Sequence, residues 1–216
     1  WNAGDDPLVY APVSSQTGIT GNTATLTGLS SQTSYDVYVQ STCSDGGTGN
    51  TSALNFQTPC AVFVAPFTEN FDGPTWGSLN TYDPCWQVLP DLNNPNWEVD
   101  FNTTGSSSTG PSGDLSGTGN YLFVETSGGS VGDEAYLVMP QIDISALTNP
   151  GVSFFYHMYG STMGTLQVQA RNAGSSAWTT IWSLSGQQQG DELDPWLPAS
   201  ADLGAFSSIV EIRFTM

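Results

Sequence analysis

This sequence has no lysine and only two arginines, Arg171 and Arg213, against 20 aspartates and glutamates. With a formal net charge of −18 it cannot neutralise a row of phosphates, which excludes nucleic acid as a partner. The same shortage argues against a bare anionic membrane surface, which attracts polybasic segments. No apolar run approaches the roughly 18 residues of a spanning helix, so membrane insertion is not expected. Without lysine there is no Schiff base and no phosphate-loop motif. One histidine, His157, cannot make a His-x-x-x-His zinc pair, and Cys-x-x-Cys is absent. A Ser-His-Asp triad would need a serine on a strained elbow within reach of His157, and none is expected.

What is present points to an all-β, extracellular protein. Of 216 residues, 50 are Ser or Thr, 24 are Gly and 13 are Pro, while only 10% are charged. Turn formers and β-branched residues are plentiful and helix-forming charged residues scarce. No stretch carries a sustained 3.6-residue apolar period with caps, so almost no helix is expected. The paired carboxylates Asp191-Glu192-x-Asp194 and Asp133-Glu134 are the remaining acid/base candidates for glycosidase-type chemistry. In Gly-rich surroundings such clusters are ordinarily solvated loops, and the sequence reads as a non-enzyme.

Residues 1–59 form a first segment. Residues 23–27 alternate, Gly28-Leu29-Ser30-Ser31 turns, residues 34–40 alternate again, and a Gly-rich turn at 43–51 leads into a strand at 53–57. The pattern Leu26-x-Gly28-Leu29-x-x-x-Thr33-x-Tyr35-x-Val37-x-Val39 resembles the fibronectin type III domain. The resemblance implies a β-sandwich in which the Tyr35 hydroxyl bonds back to the backbone upstream. Trp1 sits where the family's buried strand-B tryptophan would be, so the sandwich is expected to be partial.

Residues 60–216 form the second segment. Strands are expected at 121–125, 135–139, 152–158, 165–169, 178–182 and 209–214, with Gly/Ser-rich loops at 102–119, 126–132 and 186–190. Ordered blocks carry a second resemblance: Asn70-Phe71-Asp72, Cys85-Trp86, Asn96-Trp97, Pro111-Ser112-Gly113-Asp114, Tyr121-Leu122-Phe123-Val124-Glu125 and Ala135-Tyr136-Leu137-Val138-Met139-Pro140. Phe155-Tyr156-His157-Met158-Tyr159-Gly160 followed by Met163-Gly164-Thr165-Leu166 is the most specific of them. Together they resemble a MAM domain, which implies a jelly-roll sandwich and makes His157 a sheet-face or core histidine. That family ends in a Gly-Asp-Ile-Ala-Leu-like strand not found before Met216, so the domain is expected to lack its last strand.

Three cysteines cannot all pair within one chain. If residues 35–42 and 53–58 form a hairpin centred near Gly47-Thr48, Cys43 faces about Ala53. Cys60 then lies roughly 24 Å further along, too far for a bond that needs Cα atoms within about 7 Å. The MAM resemblance implies a Cys60–Cys85 disulfide instead. The family's usual cysteine before the Asn-Phe-acid block is here Glu69, and Cys60 lies just upstream. Cys43 would pair outside this sequence.

The resemblance also implies calcium as the one cofactor, held by Asp72, Asp114 and Glu69 together with a later aspartate. Solvated loop carboxylates are the ordinary alternative. Trp86 and Trp97 match core positions of the family, whereas Trp76 and Trp196, in Gly/Pro-rich surroundings, are the candidates to stack on a sugar ring.

The function implied is adhesion or recognition: a secreted or surface-attached module that binds a protein or a cell-surface glycan through its loops, beside neighbouring domains of a longer chain. Modules of this composition are similar to those of large secreted proteins of flavobacteria-like bacteria, which implies export, often by the type IX route. A carbohydrate-binding appendage of a secreted glycosidase or peptidase, or a passive spacer, are the alternatives.

Overall fold

The computed structural model describes residues 1–4, 11–50, 52–77, 81–89, 96–126 and 129–216. They form strands and turns with no helix. Thr51 and residues 127–128, inside expected loops, lie outside the described residues. The chain divides into two compact units, Trp1–Ala61 and Val62–Met216.

The first unit contains β1 (Ser34–Val37), β2 (Gln40–Thr42), β3 (Thr48–Asn50) and β4 (Leu54–Gln57), paired β1 with β4 and β2 with β3. The Tyr35 hydroxyl accepts the Ser30 N–H at 2.8 Å, closing the turn between them. Asp36 ties this unit together with polar contacts: its carboxylate accepts the Gly4 N–H at 2.8 Å and the Asn55 amide at 3.0 Å. Two expectations change here. Residues 23–27 form no strand, and the Thr25 N–H goes to the Gln16 side chain at 3.0 Å instead of to a ladder. The hairpin also turns earlier than the sequence suggests. Cys43 N–H donates to Gly47 O at 2.8 Å, so Cys43 faces Gly47 and not Ala53. The cause is local: Gly46 sits at φ 86° and Asp45 Oδ1 accepts the Gly47 N–H, which favours the tight turn.

The second unit holds β5 (Phe63–Val64), β6 (Gln87–Leu89), β7 (Asn96–Asp100), β8 (Tyr121–Glu125), β9 (Tyr136–Val138), β10 (Ile142–Asp143), β11 (Gly151–Tyr156), β12 (Thr165–Asn172), β13 (Thr179–Ser185), β14 (Leu197–Asp202) and β15 (Ile209–Thr215). Seven of these make one sheet. β13, β12 and β15 are successive neighbours, and the far edge of β15 is shared by β9 and β10. Between β9 and β10 lies Pro140, which has no N–H to donate, and the ladder breaks there. β6 then pairs with β9, and β5 with β10 in parallel.

Alternation explains which faces are buried. On β12, Leu166, Val168 and Ala170 are buried, while Gln167, Gln169 and Arg171 between them are not. Val210 and Ile212 do the same on β15, and Trp97 and Val99 on β7. Two clusters of buried side chains result, bridged by Phe154, Trp182 and Phe214, which pack against both. Each fully buried aliphatic side chain stabilises the fold by about 1.5–3 kcal/mol. Both arginines stack on the Trp178 ring, at 4.2 and 4.4 Å from its centre, and Arg171 also pairs with Glu211. Opposite the seven-stranded sheet lie two separate pairs, β7–β8 and β11–β14.

Candidate recognition site

The strands β8 and β11 border an apolar groove of about 280 Å³. Its floor is the core itself, through Trp97, Leu137, Leu166 and Phe214. For scale, a dry engineered cavity of roughly 150 Å³ holds benzene. At one end stand His157 and Trp196. The Trp196 indole is fixed by its Nε1–H donating to Gly113 O at 3.1 Å, and its ring meets those of Tyr121 and His157 at 5.8 Å each. Both ring nitrogens of His157 are buried without a hydrogen-bond partner. Burial pushes the His157 pKa down, against a weaker opposing pull from the Asp194 backbone and charge and from the Asp191 backbone, neither of which reaches the ring in good hydrogen-bond geometry.

The sequence brought Trp196 forward as a binding aromatic, and the structure places it on this groove. Trp76 is a correction. It is 5% exposed and packs edge-on against Phe71 and Trp86, at 5.0 and 5.5 Å. The Gly73-Pro74 surroundings suggested a loop aromatic, but the ring turns inward because its large apolar area is better buried. It offers no sugar platform. Trp86 and Trp97 are buried, as their positions imply. Cys60 and Cys85 are disulfide-bonded, while Cys43 is a free, exposed thiol.

The residues expected to hold calcium come together only in part. Asp72 and Asp114 converge on Gly119, where a Cβ would meet Asp72 Oδ1 at 2.5 Å and Asp114 Oδ2 at 2.9 Å. Their oxygens are already engaged. Asp72 accepts Asn120 N–H and the Asn70 amide, and Asp114 accepts Gly119 N–H and Ser116 N–H. Burial raises the Asp114 pKa, but these N–H donors outweigh it and hold the carboxyl below its usual value. Glu69 folds onto its own backbone, accepting the N–H groups of Asn70 and Phe71. Those bonds hold Phe71 at φ 63°, a left-handed conformation for a non-glycine residue. No group of three or more His, Cys, Asp or Glu positioned for a metal exists among the described residues. The described residues therefore supply too few oxygens here for calcium, which takes 6–8; Asp72 and Asp114 tie two loops together.

Three of the acid/base candidates are turn caps, and Glu134 accepts the Tyr136 hydroxyl. Asp194 accepts the N–H groups of Gly190 and Asp191, Asp191 accepts Leu193 N–H, and Asp133 accepts Ser130 N–H. One Gly-x-Ser-x-Gly spacing does occur, at Gly128-Gly129-Ser130-Val131-Gly132, which the expectation of no elbow serine overlooked. Gly128 is outside the described residues. Ser130 lies in an exposed turn, with no helix after it to form a nucleophile elbow.

A family model for the MAM domain (meprin/A5/mu) matches residues 80–216. The chain belongs to the MAM domain family. Human MAM domain-containing glycosylphosphatidylinositol anchor protein 1 is 43% identical over 110 residues, 49% of this chain and 11% of that protein. Zebrafish (Danio rerio) neuropilin-1a is 34% identical over 95 residues, 43% of this chain and 10% of that protein. Mouse MAM domain-containing protein 2 is 32% identical over 110 residues, 49% and 16% respectively. The MAM chain thus spans about a tenth to a sixth of the length of these relatives. Among solved structures, the K1 cleaved adhesin domain of Lys-gingipain from Porphyromonas gingivalis has a TM-score of 0.45 at 17% identity. That alignment covers 68% of this chain and 90% of that one; a likeness at this level carries nothing across.

Neither the groove nor the split of the second sheet was visible in the sequence. Which strands become neighbours is not written in any one strand's alternation.

Proposed function

We propose that this chain is a non-enzymatic extracellular recognition module that binds a protein partner. The observation that carries the reading is the MAM family match over residues 80–216. Relatives sharing the domain include a glycosylphosphatidylinositol anchor protein and a neuropilin, which supports work outside the cell, secreted or surface-attached. The turn-capping roles of Asp133, Asp191 and Asp194 support the absence of hydrolysis. Residues 1–59 are read as part of a fibronectin type III sandwich, supported by the Tyr35 hydroxyl accepting Ser30 N–H at 2.8 Å. The burial of Trp76 weakens the carbohydrate-binding alternative.

The test is to display residues 1–216 as a tetramer on labelled streptavidin and measure its binding to intact cell surfaces. Protein recognition predicts saturable binding that disappears when the cells are first treated with protease. Binding that survives protease and is competed by soluble polysaccharide would replace the protein partner with a glycan. No binding to any surface would leave only the spacer.

A further inference from the structure

The side chains of β15 alternate between two environments. Val210, Ile212 and Phe214 pack into the core, so Glu211 and Arg213 project from the opposite face of the seven-stranded sheet. Gln169 and Arg171 stand beside them on β12, where Arg213 opposes Gln169 and Arg171 opposes Glu211. Phe214 lines the groove described above and Arg213 does not, which puts this cluster on the far side of the sheet from the space between β8 and β11. Arg213 also opposes Val138 of β9, so the strand beneath the cluster is laddered on both sides.

The two arginines differ in their counter-charges. Arg171 pairs with Glu211 through both Nε and Nη2, at 2.5 Å. Arg213 has no carboxylate at ion-pair distance among the described residues. Its Nε–H donates to Gln169 Oε1 at 2.7 Å, and its two terminal nitrogens have no acceptor there. Neither is among the buried unpaired atoms, so solvent reaches them. Rings hold the guanidinium in place, with the centres of Trp178 and Tyr136 each 4.4 Å away. Trp178 comes from the turn between β12 and β13 and lies back over this face. Glu134, whose charge acts on Arg213, is bonded to the Tyr136 hydroxyl. Partial burial lowers the Arg213 pKa, a penalty on the cation that a bound carboxylate would offset.

We propose that Arg213, held by Trp178 and Tyr136, receives an aspartate or glutamate side chain of a protein partner in a two-pronged hydrogen bond. The inference rests on the recognition reading and names the contact that holds the partner. A protein carboxylate fits better than an acidic sugar. A sugar needs a bare ring to stack on, whereas Trp178 already carries both guanidinium groups and Tyr136 carries one. Trp, Tyr and Arg are also the residue types that dominate binding energy between proteins. Glu134 and Glu211 lie nearby and the chain carries −18, so the partner's acid stands among basic or neutral residues.

The probe is a capped, fluorescent peptide, Ser-Lys-Gly-Glu-Gly-Lys-Ser, titrated into residues 1–216 at about 0.15 M salt and followed by anisotropy. Its control has glutamine in place of the glutamate. The field of the acidic chain alone favours the control, which is the more basic peptide, so the sign of the difference is diagnostic. We expect the glutamate peptide to bind at least about tenfold tighter. Arg213→Lys, which keeps the charge but loses the planar fork, brings that advantage below about twofold. The Arg213 Nε–H and Trp178 indole N–H resonances move on binding. Equal binding of the two peptides, a preference for the control, resonance changes confined to other residues, or an advantage kept by Arg213→Lys overturns the proposal. So does glucuronate binding more tightly than the glutamate peptide, which would give the guanidinium to a glycan. The arms on the unaltered chain do not depend on the variant folding. If the two peptides bind alike while the tetramer still binds protease-sensitive surfaces, the Arg213 site falls and the recognition reading stands.

Discussion

The two halves of the MAM unit share a core but not a backbone pattern. In the seven-stranded sheet, β15 is laddered along both edges, to β12 on one side and to β9 and β10 on the other. In the opposing half, β8 and β11 are each laddered along one edge among the described residues. Packing is comparable in both: Trp97 and Val99 are as buried as Leu166 and Ile212. The difference lies in main-chain hydrogen bonds, which stabilise most where neither partner is left to water. It follows that, among the described residues, the seven-stranded sheet holds the more completely bonded backbone.

The shared core can be tested first, where the effects are largest. Trp97→Ala removes a buried ring whose Nε1–H donates to Ala135 O at 3.2 Å and should cost about 3–5 kcal/mol. Ile212→Ala, in the continuous sheet, should cost about 2–5 kcal/mol. Thermal or urea unfolding checks both. A Trp97→Ala variant destabilised by much less than Ile212→Ala would show that the split half is not packed on the same core.

A smaller effect is expected at the loop tie beside the split half. Gly119→Ala drives a methyl to within 2.5 Å of Asp72 Oδ1, and overpacking of this kind costs about 1–3 kcal/mol. An unchanged melting temperature would mean that the two carboxylates do not converge there.

Smaller again is the pH dependence carried by Asp114. Its folded-state pKa lies below the ordinary aspartate value of 3.8, because hydrogen-bond donors outweigh burial. The unfolded state thus binds the proton more readily. The stabilisation is complete above pH 3.8 and is lost as pH falls through the folded-state value. Asp114→Asn should therefore be less stable than the parent at pH 7, with the gap closing as pH falls below 3.8. Melting curves across that range decide it, and a constant gap would refute the sign.

The smallest change expected is at Phe155, which is 51% exposed at the groove. Phe155→Ala should alter stability by less than about 0.5 kcal/mol, as thermal unfolding would show. A large loss of stability would place Phe155 in the scaffold.

Much of the fold was legible where alternation and turn chemistry agreed. β8 was expected at 121–125 and is found at Tyr121–Glu125, bounded upstream by Gly119 and downstream by a Gly/Ser loop. β14 was not legible, because Leu197-Pro198-Ala199-Ser200 reads as a loop. Pro198 is tolerated since it opposes Phe155, where the β14 backbone points away from β11 and no N–H is needed for the ladder. Residues 23–27 alternate just as well as β8 does but pair with nothing described, which shows that alternation licenses a strand without supplying a partner. At the site, Asp72 and Asp114 were brought together as the family pattern implied, yet Glu69 was not. Its carboxylate is captured by two N–H groups nearby in sequence, a local bond that outcompetes a distant one.

The contrast between β15, laddered on both edges, and β11, laddered on one among the described residues, is tested most directly by native-state amide exchange along β11. The account predicts alternation: Val152, Phe154 and Tyr156, bonded to β14, exchange slowly, while Ser153 and Phe155 exchange fast. Uniform protection from Val152 to Tyr156 would show that the edge is already covered and would contradict the account.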